Sequence, residues 1–417
     1  MKLFRTTITL LCAAGALICL TPGATAQETS PYSKFGYGSL GDNATSIQRQ
    51  MGGTGYAMHS GRQINAMNPA SYASVDSLTF LFDVGVDVTR YMRKDASGSQ
   101  TDWGGGIDYI TMLFHVSKTI GVSAGLVPFT SVGYAFGSDI ENGYSSHQGS
   151  GGINQLYLGA GITPLKGLRV GFNISYLFGN ICNDVFATSS SGVGAVFEQM
   201  MEVKDYHLRF GAQYTYNISH KHSVTAGVSF EPGKSLLGNT YVVKYLQNST
   251  EAPDTIAPGV VSLKDKFSLP SSWGIGVAYD FNNRLHAEID FTYQPWKNAK
   301  YAQIENFSAT RMDDRWKIAV GASYQPDPRG SYLKRMSYRA GAFYNRDYIM
   351  VGDNHVRDYG VSCGFGFPAH SSKTIINVGF EYKQRQATPN PLLKEKYFNL
   401  TLGVNFNGTW FYKNKLR

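Results

Sequence analysis

The chain has little cysteine, little charge and no long apolar run after its first residues. Four of the 417 residues are Cys, and two of them, Cys12 and Cys19, lie near the N-terminus. Charged residues make up 16% of the chain. Beyond Leu20 no apolar run is long enough for a transmembrane helix, so any membrane-spanning structure has to be a closed sheet. Cys182 and Cys363 fall on separate predicted strands, so no disulfide bridge is expected.

Motifs for catalysis, metal binding and nucleic-acid binding are also lacking. The sequence contains no supported Ser/His/Asp set and no phosphate-binding Walker loop, and its nine His residues are scattered. The formal net charge of +8 is modest for this length and is spread along the chain. We therefore expect no enzyme activity, no catalytic residue, no metal site, no cofactor and no nucleic-acid partner.

The N-terminus has the pattern of a signal peptide. Lys2 and Arg5 precede an apolar run to Leu20, and residues 24–26 read Ala-Thr-Ala. This arrangement predicts a signal peptide over 1–26 and an exported mature chain that starts at Gln27. Export and the need for a closed sheet together indicate a bacterial outer membrane.

Alternation of apolar and polar residues with a period of two is the dominant pattern of the mature chain. From Leu285 to Tyr293 the odd-numbered positions are apolar, whereas the even-numbered positions are His286, Glu288, Asp290 and Thr292. One face of such a strand suits lipid and the other suits water. Each pass has roughly the nine to eleven residues that a tilted strand needs to cross a bilayer. The fold class is therefore an all-β, transmembrane antiparallel β-barrel.

The alternation recurs in about fourteen segments whose connections are alternately short and long. Lys118-Thr119 and Asn282-Asn283 are short, whereas the stretch from Gly233 to Ser268 is long enough to hold an extra hairpin through Tyr241 to Leu246. Short periplasmic turns and long outer loops are typical of outer-membrane barrels, and an even strand number places both termini in the periplasm. The predicted strands are 78–92, 107–118, 119–137, 151–163, 167–179, 202–217, 221–233, 269–281, 284–296, 312–325, 334–347, 356–368, 373–385 and 396–411.

Residues 27–77 do not alternate and are rich in Gly, Ser, Asn and Ala. About fifty residues before the first strand are too many for a simple tail, and the lumen of a wide barrel can hold them. We interpret them as an N-terminal plug, or hatch, with a disordered periplasmic leader as the alternative. The domain prediction is thus a signal peptide (1–26), a plug (27–77), a barrel (78–412) and a short periplasmic C-terminal extension (413–417).

Three stretches, together with the strand number, resemble the FadL/TodX family of outer-membrane transporters for long-chain fatty acids and other hydrophobic compounds. Residues 269–279 (LPSSWGIGVAY) and 293–296 (YQPW) resemble two successive strands of that family. Residues 30–38 (SPYSKFGYG) are similar to FadL-like proteins of Bacteroidota, some of which serve secretion or other outer-membrane machines. The hatch motif of the family is matched by Gly52, Gly53, Gly55, Asn68, Pro69 and Ala70.

The resemblance implies that a ligand leaves the lumen sideways through a break in the third strand. That strand contains Pro128, which lacks a backbone donor and so marks an interruption, either a lateral gate or a harmless bulge. Apolar residues on the inward phase of strands one to three flank it. They either line an apolar ligand pathway or pack against the plug. These residues are Leu81, Leu113, Val127 and Phe129.

Two functions follow from this reading. The first is passive uptake of hydrophobic small molecules such as long-chain fatty acids, by lateral release through the break in strand three. Its partners are a hydrophobic molecule or lipid and the outer-membrane lipids. The second is a FadL-like barrel that does not transport and is a subunit of a larger outer-membrane secretion or protein-assembly complex, with outer-membrane or periplasmic proteins as partners. Fold transfers between relatives more safely than function does.

Overall fold

The computed structural model describes residues 30–409 except 97, 191–193, 248–253, 304–309 and 370–373. The predicted signal peptide (1–26), residues 27–29, the last residues assigned to the barrel (410–412) and the C-terminal extension (413–417) lie outside the described residues. Strands dominate the described part of the chain. None of its helices has the length and apolar composition that crossing a membrane requires.

Nineteen strands and two one-turn α-helices are formed by the described residues. The helices are α1 (Ser46–Arg49) and α2 (Tyr332–Arg335), and 3₁₀ turns occur at Pro31–Lys34, Pro69–Ser74 and Trp296–Asn298. The strands are β1 (Ser39–Leu40), β2 (Thr79–Lys94), β3 (Ser99–Ser117), β4 (Ile120–Ile140), β5 (Gly143–Leu165), β6 (Leu168–Ser189), β7 (Gly194–Asn217), β8 (His222–Glu231), β9 (Lys234–Ser235), β10 (Gly238–Gln247), β11 (Asp254–Ser262), β12 (Ser268–Leu269), β13 (Ser272–Phe281), β14 (Leu285–Gln294), β15 (Arg315–Tyr324), β16 (Ser337–Val351), β17 (Asn354–Pro368), β18 (Ile375–Thr388) and β19 (Lys394–Thr409).

Fourteen of these strands form a closed antiparallel barrel, as predicted. They are β2 to β8 and β13 to β19, and each pairs with the next of the fourteen, including β8 with β13. The last strand closes on the first through a continuous register from Lys394↔Lys94 to Thr409↔Thr79. Closure removes the sheet edges that hydrocarbon could not satisfy. The fold is that of an outer-membrane β-barrel.

The period-two alternation separates an inner face from an outer face. In β14, Glu288 and Asp290 are 4% and 3% exposed, whereas Ile289 and Phe291 between them are 53% and 41% exposed. Outward positions of other strands are similarly apolar and exposed, as with Leu158 and Ile174. The outer wall is therefore apolar and the inner wall polar, as a barrel in lipid requires.

The barrel wall is much taller on one side. Strands β4 to β7 are 21 to 24 residues long, whereas β8, β13, β14 and β15 have ten residues each. We call the end of the barrel where β3 turns into β4 the short-turn end, and the opposite end, where long connections join β8 to β13 and β14 to β15, the long-loop end. The extra length lies at the long-loop end, where the β10–β11 hairpin pairs with β7 and extends the wall further.

Four predicted strands stop too early at the long-loop end. Strands β3, β5, β6 and β7 continue beyond the predicted ranges by eight residues or more. Apolar alternation marks only the part of a strand whose outer face meets lipid. The extensions, such as the Gly- and Ser-rich stretch from Gly143 to Gly152, keep the hydrogen-bond ladder without that pattern.

Residues 30–77, which we call the N-terminal segment, pack against the inner wall. Gly55 and Tyr56 donate their backbone N–H groups to Asp290 Oδ2 at 2.7 and 3.0 Å, and Ala57 donates to Glu288 Oε1 at 2.6 Å. Most of the segment is buried, including Ile47 and Met51. The inward carboxylates of β14 thus bind the backbone of this segment.

Close packing of the N-terminal segment on Gly341 provides a stability test. A Cβ at Gly341 would lie 2.1 Å from the carbonyl carbon of Met51, so Gly341→Ala forces the two backbones apart. We expect it to lower stability by about 1–3 kcal/mol, as overpacking does. Gly408→Ala is the matched control because a Cβ there meets nothing closer than 3.9 Å. Heat-dependent migration on SDS gels measures both; equal unfolding temperatures would contradict the packing.

Candidate functional site

The wall is interrupted in β4, the third barrel strand. Pro128 pairs with Asn154 and Thr130 pairs with Ile153, so Phe129 between them is a bulged residue. On the other edge, β4 pairs with β3 only up to Leu126↔Ile110. Toward the long-loop end, the rest of β3 pairs with β2. Beyond Leu126, β4 does not pair with β3. We call this separation of β3 and β4 the wall break.

The N-terminal segment pairs with β4 where β3 does not. Within β1, Ser39 lies opposite Ser131 and Leu40 opposite Thr130. Gly41 donates its backbone N–H to the Phe129 carbonyl at 2.9 Å. A Cβ at Gly41 would lie 2.5 Å from the Pro128 carbonyl oxygen, so glycine permits this close approach. The edge of β4 beside the wall break is therefore covered from inside the barrel.

A polar cavity of about 270 Å³ lies behind the wall break. Its lining includes Ile107 and Asp108 from β3, Pro128 from β4 and Leu40 from the N-terminal segment. Six carboxylates and five cations also line it. They are Asp42, Asp87, Asp108, Asp347, Asp358 and Glu381, and Arg49, Arg315, Lys317, Lys383 and Arg385.

Ion pairs bind the N-terminal segment to the charged wall of the cavity. Asp42 accepts hydrogen bonds from Arg315 Nη2 at 2.9 Å and from Lys317 Nζ at 2.6 Å. Burial raises the pKa of Asp42, but Lys317 and Arg315 more than offset this and hold the pKa well below its usual range. Arg385 donates to Asp347 at 2.6 Å and to Ser39 Oγ at 3.0 Å. The cavity is therefore built jointly by barrel and segment.

Arg49 on α1 lies among carboxylates on the side of the cavity nearest β3. Its Nη2 donates to Asp108 Oδ1 at 2.5 Å. Burial lowers the pKa of Arg49, but the charges of Asp108, Asp87 and Glu381 raise it above its usual value. Asp108 is thus in direct contact with this guanidinium group, and the other carboxylates act on it through their charge.

A buried apolar cluster lies over the cavity toward the long-loop end. We call it the outer cluster; Trp296 stacks on Tyr348 with ring centroids 4.4 Å apart. Tyr348 Oη accepts a hydrogen bond from the Tyr37 backbone N–H at 3.0 Å and donates to the Gly38 carbonyl at 2.6 Å. The cluster joins the N-terminal segment to the long loops. Its largest members include Tyr37, Trp296, Tyr348, Phe267, Leu236, Leu263 and Ile181.

The residues predicted to line an apolar pathway fall into two clusters. Leu81, Leu113 and Val127 belong to a second buried cluster, which also contains residues 64, 66, 72 and 75 of the N-terminal segment. They are 0%, 1% and 3% exposed. Phe129 packs against the outer cluster. Pro128 lines the charged cavity. Their role in a ligand pathway stays a prediction.

The hatch-motif residues lie where the N-terminal segment contacts the wall. Gly52 donates its N–H to Ser362 Oγ at 2.9 Å, and Asn68 donates through Nδ2 to the Ala212 carbonyl at 3.3 Å. Gly53 lines the charged cavity, whereas Pro69 and Ala70 begin a 3₁₀ turn that Asn68 caps by accepting the Ala70 N–H. Gly52 and Gly53 have φ of +71° and +82°, which favours glycine.

Sequence reasoning identified Pro128 at the wall break but missed several residues that build the cavity behind it. Ser39 and Arg49 lie in a segment without alternation, so no periodic signal identified them. Asp108 follows Ile107 and interrupts the apolar pattern of β3, which is a signal that could have identified it. Arg385 belongs to a polar run in β18 that gives no sign of its partner Asp347. Among the described residues, no group of three or more His, Cys, Asp or Glu side chains could hold a metal ion.

Comparison with known families identifies the chain's relatives. The family model described as BamG matches residues 6–417. The chain belongs to the BamG family. No curated protein matches this BamG-family chain.

Several solved structures share the fold of this BamG-family barrel at low sequence identity. The CymD monoaromatic hydrocarbon channel has a TM-score of 0.61 and 13% identity, covering 91% of this chain and 100% of its own. The toluene transporter TodX of P. putida has a TM-score of 0.59 and 15% identity, covering 89% of this chain and 99% of its own. A Pseudomonas aeruginosa FadL homologue has a TM-score of 0.63 and 10% identity, covering 88% of this chain and 99% of its own. The predicted FadL/TodX resemblance is thus confirmed at the level of the fold.

Removing one partner of the buried ion pair between Arg385 and Asp347 tests whether this pair stabilises the charged wall of the cavity. Both side chains are nearly inaccessible, at 4% and 3% exposure. Arg385→Met leaves Asp347 buried without its cation and is expected to cost about 3–5 kcal/mol of folding stability. It also removes the bond to Ser39, so proteolysis within the N-terminal segment should become faster.

The matched control for that variant is Arg311→Met. Arg311 pairs with Asp353, but their side chains are 68% and 95% exposed. Exposed pairs contribute little, so we expect the unfolding transition to stay unchanged. Urea unfolding in detergent, followed by gel migration, compares the two; an equal effect would contradict a structural role for the Arg385 pair.

Proposed function

We propose that this protein is a subunit of a larger outer-membrane complex for secretion or protein assembly and does not itself transport. The proposal takes the short-turn end as periplasmic and the long-loop end as outside. The main support for the proposal is that the N-terminal segment and the outer cluster pack against the inner wall. In this reading the segment is a plug that closes the lumen.

Contacts of the proposed plug extend along the barrel. Toward the short-turn end, Met58 donates its backbone N–H to Glu288. At the level of the cavity, Asp42 binds Arg315 and Lys317. Toward the long-loop end, Tyr37 is fully buried against Trp296 and Tyr301. A molecule moving through the lumen would have to displace bonded backbone and paired charges, which are costly to leave unsatisfied.

The tall side of the wall offers a surface for a protein partner. Strands β4 to β7 extend by ten residues or more past the length of β8. Outward apolar side chains remain exposed there, including Tyr144 (48%) and Phe186 (38%). Exposed apolar and aromatic groups outside the membrane-crossing stretch are typical of protein interaction sites.

Native mass spectrometry of the protein extracted gently from its own outer membrane tests the proposal. We expect a stoichiometric complex with other outer-membrane or periplasmic proteins because the tall wall remains partly apolar. Tyr144→Ser with Phe186→Ser should lower recovery of the complex. Ile289→Ser with Phe291→Ser on the low wall is the control. A monomer carrying a fatty-acid-sized adduct would refute the subunit role.

A second candidate is passive uptake of hydrophobic small molecules, such as long-chain fatty acids, by lateral release through the break in the third barrel strand. The wall break favours it, because β3 and β4 separate beside Pro128. The fold shared with CymD and TodX is consistent with it. Release would require residues 39–41 to leave the edge of β4, since they cover that edge from inside.

A reversible crosslink tests this second candidate. Ser39 and Ser131 are opposite residues of an antiparallel pair, a spacing that suits a disulfide. In a Cys182→Ser, Cys363→Ser background, Ser39→Cys with Ser131→Cys can lock β1 onto β4. If lateral release operates, oxidation should abolish fatty-acid uptake and reduction should restore it. The reduced form of the same protein is the control, and equal uptake in both states would eliminate this route.

A further inference from the structure

Basic side chains form a row across the outer face of five neighbouring strands near the long-loop end. Each member of the row lies directly opposite the next in the registers of β16, β17, β18, β19 and β2. Neighbouring strands are about 4.8 Å apart, so the row spans roughly 20 Å of the wall. We call it the basic row, and its members are Arg346, Arg357, Gln386, Lys394 and Lys94.

The side chains of the basic row point away from the lumen. Lys394 is exposed, whereas Glu395, the next residue of β19, is 1% exposed. Arg357 precedes Asp358, which is 6% exposed and lines the charged cavity from inside the barrel. Successive residues of a strand point to opposite faces. The basic row is therefore on the outer face and separate from the cavity.

The basic row begins where the apolar outer face ends. The outward positions of β19 are apolar from Phe398 to Phe406, a stretch of roughly nine residues, which is the length that crosses a bilayer. Lys396 and Lys394 are the next outward positions toward the long-loop end. Outward aromatic residues such as Tyr359 border the row on its apolar side. Aromatic and then cationic side chains are typical of the interface between hydrocarbon and polar head groups.

Most cations of the basic row have no carboxylate partner. Arg346 pairs with Asp313 at 2.6 Å, and the same carboxylate lies 3.4 Å from His355 Nδ1. Within the described part of the chain, no ion pair joins a carboxylate to Arg357, Lys394 or Lys94. The row therefore carries an excess of positive charge.

Carboxylates near the basic row bind other groups. Asp353 pairs with Arg311 at 2.8 Å, and Asp102 pairs with Arg93. Asp95, next to Lys94, accepts the backbone N–H of residue 98 at 2.9 Å. No Asp or Glu occupies the outward phase of the five strands over their described residues. The positive charge of the outer face is thus not neutralised from within these strands.

Two pairs of like charges lie directly opposite each other in the basic row. Arg346 is the cross-strand partner of Arg357, and Lys394 is that of Lys94. Like charges at this spacing destabilise a sheet. The Nε atoms of both arginines are also buried without a hydrogen-bond partner among the described residues. An anion with several acceptor oxygens would relieve the repulsion and satisfy these donors.

We propose that the basic row binds the phosphate groups of a glycolipid of the outer leaflet, whose acyl chains lie against the apolar outer face beside it. A lipid is favoured over a soluble anion because the row continues directly into that apolar face along the same strands. Phosphate suits the row because arginine and lysine both bind it through charge-assisted hydrogen bonds. The inference takes the long-loop end as outside and depends on neither candidate function.

Selective retention of a phosphorylated glycolipid tests the inference. The mature protein is placed in nanodiscs holding equal amounts of lipid A and of the same lipid A after enzymatic removal of its phosphates. The lipids that stay bound after transfer to detergent are then counted by native mass spectrometry. We expect the phosphorylated form to be retained over the other by about tenfold, as one charged hydrogen bond allows. Equal retention of both forms would overturn the proposal.

Charge-matched variants locate the site. Arg357→Gln, Lys94→Gln and Lys394→Gln, combined in one protein, should abolish the preference. The control combines Lys118→Gln, Lys166→Gln and Lys221→Gln, which remove the same charge from exposed positions in three turns of the short-turn end. Heat-dependent gel migration shows which variants are folded. A folded row variant with unchanged preference, or an equal loss in the control, would refute the assignment.

A final measurement separates a lipid head group from a free anion. Inorganic phosphate, which has the charge and no acyl chain, is added in excess to the lipid-loaded protein, with sodium chloride of equal ionic strength as the control. We expect phosphate to displace no more lipid than chloride does, because the chains contribute through their apolar contacts. Greater displacement by phosphate would mean that the row binds soluble anions and would overturn the lipid assignment.

Discussion

A strand edge in hydrocarbon has to find hydrogen-bond partners, because lipid supplies none. The antiparallel ladder meets this need around most of the barrel and closes where β19 pairs with β2. Beside Pro128 the neighbouring strands separate, and there Ser39, Leu40 and Gly41 supply partners to β4 from the inside. The N-terminal segment is therefore part of the hydrogen-bonded wall as well as part of the interior.

The same segment also determines how the interior charges are satisfied. Asp42 neutralises Arg315 and Lys317, and the backbone N–H groups of residues 55–58 bind Glu288 and Asp290. An inward carboxylate or guanidinium group without such a partner would be strongly destabilising. Glycines at positions such as 341 permit the close approach that these bonds need. Barrel and segment therefore stabilise each other and are expected to fold as one unit.

The shared fold leaves the function open, because one architecture supports different activities. CymD and TodX are described as a hydrocarbon channel and a toluene transporter, and this chain shares their fold at 13% and 15% identity. Within that fold, the chain combines a wall break with a cavity lined by eleven charged side chains. The chemistry of this interior, rather than the strand number, will decide what the barrel admits.

Much of the architecture could be predicted from local sequence. The alternation of Glu288 and Asp290 with Ile289 and Phe291 assigns the two faces of a strand, because successive side chains of a strand point to opposite sides. The number of alternating segments gave the number of strands, and Pro128 correctly marked an interruption. The predicted alternation of short and long connections is present only in part, because two residues join β4 to β5 and two join β16 to β17. Strand ends beyond the lipid-facing stretch escaped prediction because no apolar face is required there.

The sequence by itself thus determined the barrel, its two faces and the position of the interruption, since each depends on spacing along one strand. Only the tertiary structure decided which residues meet at that interruption. Ser39 reaches Ser131, Arg49 reaches Asp108, and Arg385 reaches both Asp347 and Ser39. These pairs join residues from 38 to 346 positions apart, and no local period encodes them. They form because barrel closure brings distant strands around one enclosed segment, where each charge has to find its partner.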